Sequence, residues 1–281
     1  MGRLARSWDL VGKSFEVLLS DKELLLLPVF SGTSCLIVSV MILGGGALLF
    51  RSELGVFVGT HPRTVPQGMW AFLFCFYLVN YFIVVFFNVA LVSAAADRFA
   101  GGNATVNHGL QVAWDRKGSI LQWAVLAATV GILLNLLEER LGWLGRLVAG
   151  FIGVAWNMAT FFVVPLLAAE DIGPVEALYR SADIFTETWG EELVGGFSFG
   201  VIFTLLTIPG FLLPILLARP LGATGVLVGF IVALAYWLLL SIISSAVRGI
   251  FMAALYRYAT TSEVSTNFNR DDFSTAWQPR R

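Results

Sequence analysis

The chain has 281 residues, 57% hydrophobic and 13% charged, with a formal net charge of −1. A soluble domain carries about 25% charged residues, so a chain this poor in charge cannot cover a water-facing surface and much of it must face lipid. The near-neutral balance excludes a global basic field for nucleic acid, and the short loops exclude a separate soluble catalytic domain.

In chain order, residues 3–19 read as an amphipathic helix. Leu4, Trp8, Val11, Phe15 and Leu18 recur at helical period. Arg3, Arg6, Asp9, Lys13 and Glu16 occupy the other faces. The cluster SDKEL at 20–24 then turns the chain into an apolar segment over 24–50. A signal peptide has an apolar region of only about 7–15 residues and a small-residue cleavage site. Neither fits, so 24–50 is a retained span. A crossing needs about 20 mostly apolar residues, and five more segments qualify: 70–96, 119–137, 147–169, 193–217 and 222–247.

The opening pattern recurs. Residues 105–117 hold a shorter version, with Val106, Leu110, Ala113 and the adjacent Trp114, followed by DRKGS. Residues 174–189 hold a longer one, with proline at the favoured first helical position, then Val175, Leu178, Ala182, Phe185 and Trp189, followed by WGEEL. The fold expected is all-α: a polytopic membrane helical bundle of six transmembrane helices, with a threefold pseudo-repeat of amphipathic helix plus helical hairpin. Residues 1–260 form one transmembrane domain and 261–281 a polar tail. Trp8, Phe15, Trp114, Phe185 and Trp189 are the expected interfacial anchors, either in the headgroup layer or against the span ends.

Orientation follows from Lys and Arg in short loops. Arg3, Arg6, Lys13, Lys22, Arg98, Arg116, Lys117, Arg180, Arg248, Arg257, Arg270, Arg280 and Arg281 fall on one side, against Arg51, Arg63, Arg140, Arg146 and Arg219 on the other. Both termini are therefore expected on the cytoplasmic side. The sequon Asn103-Ala-Thr105 then lies where glycosylation does not occur. Gly12-Lys13-Ser14 lacks the preceding strand and first glycine of a phosphate loop.

Between helices in lipid, close packing and polar contacts replace the hydrophobic drive. Gly196 and Gly200, Gly225 and Gly229, and Ser241 and Ser245 form small-residue rows suited to helix contact. Pro28, Pro165, Pro209 and Pro214 are expected to kink helices, most of all in the fifth span. The span interiors hold Asn80, Asn88, Asn135 and Asn157 but no acid or base. These asparagines read as interhelical hydrogen-bond donors or as the lining of a polar path. His61 and His108 fall on opposite sides, Cys35 and Cys75 lack metal spacing, and no nucleophile elbow appears. No metal, cofactor or catalytic residue is expected.

The opening SWDLVGKSFEVLLSDKELLLLPVFSG, the middle VVPLLAAEDIGPVEALYRSADIFTETWGEELVGG and the ending FMAALYRYATTSEVSTNF with FSTAWQPRR resemble a family of uncharacterised prokaryotic six-span membrane proteins. Ser262 and Ser265 stand where that family favours glycine and proline. The resemblance implies a multi-pass protein of a prokaryotic cytoplasmic (inner) membrane and no activity. A more distant similarity to the membrane domains of some glycerophosphodiester phosphodiesterases points to lipids. The expected function is non-enzymatic organisation of bilayer lipids or membrane partner proteins. The expected partners are membrane lipids, with a homo-oligomer or membrane-protein partner besides and no nucleic acid. The alternative is a channel or transporter for ions, small solutes or lipids that uses the asparagines.

Overall fold

The computed structural model describes residues 3–49, 67–102, 105–188 and 199–261. They form helices α1 (Arg3–Ser20), α2 (Leu26–Leu49), α3 (Gln67–Phe99), α4 (Val106–Asp115), α5 (Lys117–Ala159), α6 (Val163–Ala169), α7 (Pro174–Thr188) and α8 (Phe199–Thr261), with a 3-10 turn at Lys22–Leu25. There is no strand among them. Among the described residues, four apolar stretches are long enough to cross a membrane: Lys22–Leu49, Gly68–Phe99, Lys117–Ala169 and Gly222–Thr261. The shorter Ile202–Leu217 is also apolar.

The described residues gather into two compact units. One is drawn from Met1–Pro28, Leu91–Gly109 and Asp183–Arg281, the other from Val29–Ala90 and Leu110–Ala182. In the second unit, α2 and α3 run antiparallel. Phe30 meets Phe87 at 6.5 Å, Ser39 meets Asn80, and Gly46 leaves room for the Phe72 ring. As one number rises the other falls, which is the signature of a hairpin.

Helix α5 is 43 residues long but is not one rod. Gly142 has φ 59° and ψ −128°, a left-handed conformation that glycine adopts without steric penalty. The chain folds back there: a Cβ on Gly145 would lie 2.4 Å from the Leu137 carbonyl oxygen. Further down, Trp123 and Trp156 stack at 5.9 Å. The return limb breaks at Thr160–Phe162, because Pro165 lacks an N–H and its ring opposes the Phe161 carbonyl. The freed Phe162 N–H donates instead to the Ser181 hydroxyl on α7, at 2.8 Å.

Helix α8 repeats the device in the first unit. Gly222 has φ 57° and ψ −137°. Beyond it Gly229 lies against Pro214, the Tyr236 hydroxyl donates to the Leu206 carbonyl at 2.5 Å, and the Trp237 indole donates to the Thr207 carbonyl at 3.2 Å. The two tips share a sequence: Leu141-Gly142-x-x-Gly145, then Ala149 and Gly153; and Leu221-Gly222-x-x-Gly225, then Gly229 and Ala233.

At Pro209 and Pro214, where a kink is expected, the backbone keeps helical torsions; the non-helical residue inside α8 is Gly222. Opposite this stretch the Tyr236 hydroxyl and the Trp237 indole bond the Leu206 and Thr207 carbonyls, and Gly210 leaves space for the indole, since a Cβ there would lie 2.2 Å from Trp237 Nε1.

The core of the first unit lies where α1 packs on α8. Val11, Ser14, Val17, Leu18, Leu91, Ala94, Ala95, Ile250, Phe251 and Leu255 are all buried there. A Cβ on Gly249 would meet Leu91 at 2.4 Å, so glycine lets α8 approach α3 closely. Arg98 pairs with Asp21 at 2.6 Å, and the Arg257 guanidinium donates to the Phe99 carbonyl at the end of α3.

Candidate functional site

The three short helices α1, α4 and α7 share one design. A small residue sits at the centre of the packed face: Ser14, Ala113 and Ser181 are all fully buried. Large apolar residues stand out on another face: Phe15 is 38% exposed, Trp114 61%, Val175 53% and Tyr179 69%, with Leu19 beside Phe15. Small side chains let a helix axis come close to its neighbour. The bulky residues are left partly or largely uncovered.

The faces buried against protein are not the same as the apolar stripes read from period. On α7 the buried positions are Pro174, Ala177, Ser181 and Phe185, while Val175 is exposed and Leu178 and Ala182 are half-buried. On α1 they are Val11, Ser14, Val17 and Leu18, while Phe15 is exposed. Of the expected anchors, Phe15 and Trp114 are open and Phe185 is buried. The Trp8 side chain and Trp189 lie outside the described residues.

Polar contacts tie the short helices in the second unit to their neighbours. Arg180 on α7 pairs with Glu170, and Arg116, before α5, pairs with Asp171. The Lys117 ammonium lies 4.8 Å from the Trp114 ring centre and donates to the Trp114 carbonyl at 3.3 Å. Nothing in the local sequence around Glu170 and Asp171 signals these pairs, because their partners are distant in sequence or come from another helix.

The asparagines do not behave alike. Asn80 accepts from the Ser39 hydroxyl at 3.1 Å and donates to the Phe76 carbonyl at 2.9 Å, so its amide joins α2 to α3. Asn88 is half-buried, and Asn135 and Asn157 are exposed. Nearby, Tyr77 and Tyr81 stack at 5.9 Å, and Tyr81 hydrogen-bonds Trp123. Gly225 and Gly229 are buried inside the α8 hairpin, Ser241 is exposed, and Ser245 is half-buried. Gly196 and the surroundings of Gly200 lie outside the described residues. No group of three His, Cys, Asp or Glu side chains that could hold a metal occurs among the described residues.

These features define an all-α chain with helices compatible with an integral membrane protein. It belongs to a family of unknown function, DUF6159, whose model matches residues 68–266. No curated protein and no solved structure matches the chain.

Proposed function

We propose that this chain is a six-span protein of a prokaryotic inner membrane, with both termini cytoplasmic, that organises the surrounding bilayer through three interfacial helices. The threefold unit is α1 with the α2–α3 hairpin, α4 with the α5 hairpin, and α7 with the α8 hairpin. The observation that carries this reading is the division of faces on the short helices. A small buried residue faces the bundle, and a bulky apolar residue faces outward. In water those side chains would be exposed at a cost of about 25 cal/mol per Å2 of apolar surface; in the headgroup layer they are buried. Cytoplasmic sidedness rests on the Lys and Arg bias.

Nitroxides attached at Val175→Cys and Tyr179→Cys in proteoliposomes test this. Greater collision with oxygen than with a water-soluble nickel chelate is expected at both sites, with the reverse at Glu176→Cys. Water exposure at all three would overturn the reading. So would selective solute flux through purified protein that is abolished when Asn88, Asn135 or Asn157 becomes leucine, which would mark a transport path instead.

A further inference from the structure

We propose that a second copy of this chain docks on the α5 hairpin, pairing Glu138 of each copy with the partner's Arg146. The inference rests on the reading of this hairpin as membrane-spanning. On the first limb, Ala124, Ala128, Gly131, Asn135 and Glu138 are spaced 4, 3, 4 and 3 residues apart, one stripe of a helix. Ala124 and Ala128 are buried. Toward the tip the same stripe emerges, and Gly131, Asn135 and Glu138 are exposed. On the return limb, Arg146 and Gly150 are exposed and Gly153 is half-buried.

Each stripe sits about a quarter-turn around its own helix from the Trp123–Trp156 contact. The limbs are antiparallel, so the two quarter-turns fall on the same side of the hairpin. Three features of that side call for a partner of the same kind. The Asn135 amide has no hydrogen-bond partner among the described residues, and lipid tails offer none. Glu138 and Arg146 have no ion-pair partner among them either. These two lie four residues before and four after Gly142, so they share one depth. A two-fold copy in the same membrane therefore sets glutamate against arginine twice, the self-complementary pattern of an isologous contact. Gly131, Gly150 and Gly153 meet nothing within 4 Å of an added Cβ, unlike Gly145 and Gly229, whose neighbours lie within 3 Å. Their backbone is open to close approach.

Mass photometry of the full chain in nanodiscs, across protein-to-lipid ratios, measures the association. Dimers are expected for the native chain. Arg146→Glu alone and Glu138→Arg alone should each weaken dimerisation at least tenfold, and the two together should restore it. Asn135→Leu should weaken it several-fold. A disulfide between copies is expected from Gly150→Cys in a Cys35→Ser, Cys75→Ala background, and none from Leu234→Cys on the α8 hairpin. Monomers at every ratio, or dimers indifferent to both charge reversals, would overturn the proposal. So would labelling of Asn135→Cys by a water-soluble maleimide in the monomer, which assigns that face to water. Failure of the chain to resist alkaline extraction from membranes would instead overturn the spanning reading beneath it.

Discussion

Around Ser14, Ala113 and Ser181 the helices are drawn together until the central side chain has no exposure at all. At the hairpin tips the opposite holds: Trp143, Leu144, Leu227 and Phe230 stand largely open. Both regions are apolar, so hydrophobicity does not separate them. On the short helices the size of the central side chain does: a small residue sits at the middle of each packed face, while large side chains such as Phe162 and Phe251 are buried elsewhere in the core. In a lipid-facing protein the solvent is itself apolar, and packing replaces the hydrophobic effect as the reason for helix contact.

Substitutions that ignore this division should break the packed regions and spare the open ones. The largest effect is expected from Gly229→Val. A Cβ at Gly229 would lie 2.5 Å from the Pro214 Cα, and backbone cannot yield as a flexible side chain can. A loss of about 3 kcal/mol or more is expected, at the upper end of overpacking costs, read as a lowered unfolding midpoint in detergent. Next comes Ser181→Ala, which leaves the Phe162 N–H without its hydroxyl acceptor. The stranded buried donor should cost about 1–3 kcal/mol by the same measurement, with Ser181→Thr partly restoring it.

Asp21→Asn should matter less. Its pairing with Arg98 is partly exposed, with Arg98 42% accessible, and such pairs contribute about 0–1 kcal/mol. That loss should shrink further in high salt. Smallest of all, Tyr179→Ala should shift stability in detergent by no more than about 0.5 kcal/mol. An effect there as large as that of Ser181→Ala would mean that Tyr179 packs on protein, and the comparison would fail.

Much of the architecture was legible from residue spacing. The all-α class and apolar helices long enough to cross a membrane come from length and period alone. The buried stripes were not legible. An interfacial helix has two apolar neighbours, the bundle and the lipid, and an apolar period does not say which residue faces which. Phe15 and Phe185 look alike in sequence, yet one is open and the other buried. Ser14 and Ser181 are not legible as core positions, because polar residues count against a core, although smallness is what their positions require. Gly142 and Gly222 gave a usable signal, the shared Leu-Gly-x-x-Gly. A small-residue row within one span does not reveal it, because the pattern runs across the turn. At Pro209 and Pro214 the backbone stays helical, and the contacts of Tyr236 and Trp237 with that stretch come from about 30 residues away, beyond the reach of local spacing.

The proposed six-span topology puts the two hairpin tips on one side of the membrane and the short helices on the other. Single cysteines at Trp143, Ala223, Gln111 and Tyr179, in a chain lacking Cys35 and Cys75, can be probed with an impermeant maleimide on intact cells. Labelling of 143 and 223 in intact cells, with 111 and 179 labelled only after the membrane is opened, is the result expected. Labelling that places the two tips on opposite sides would contradict the six-span unit and the interface built on it.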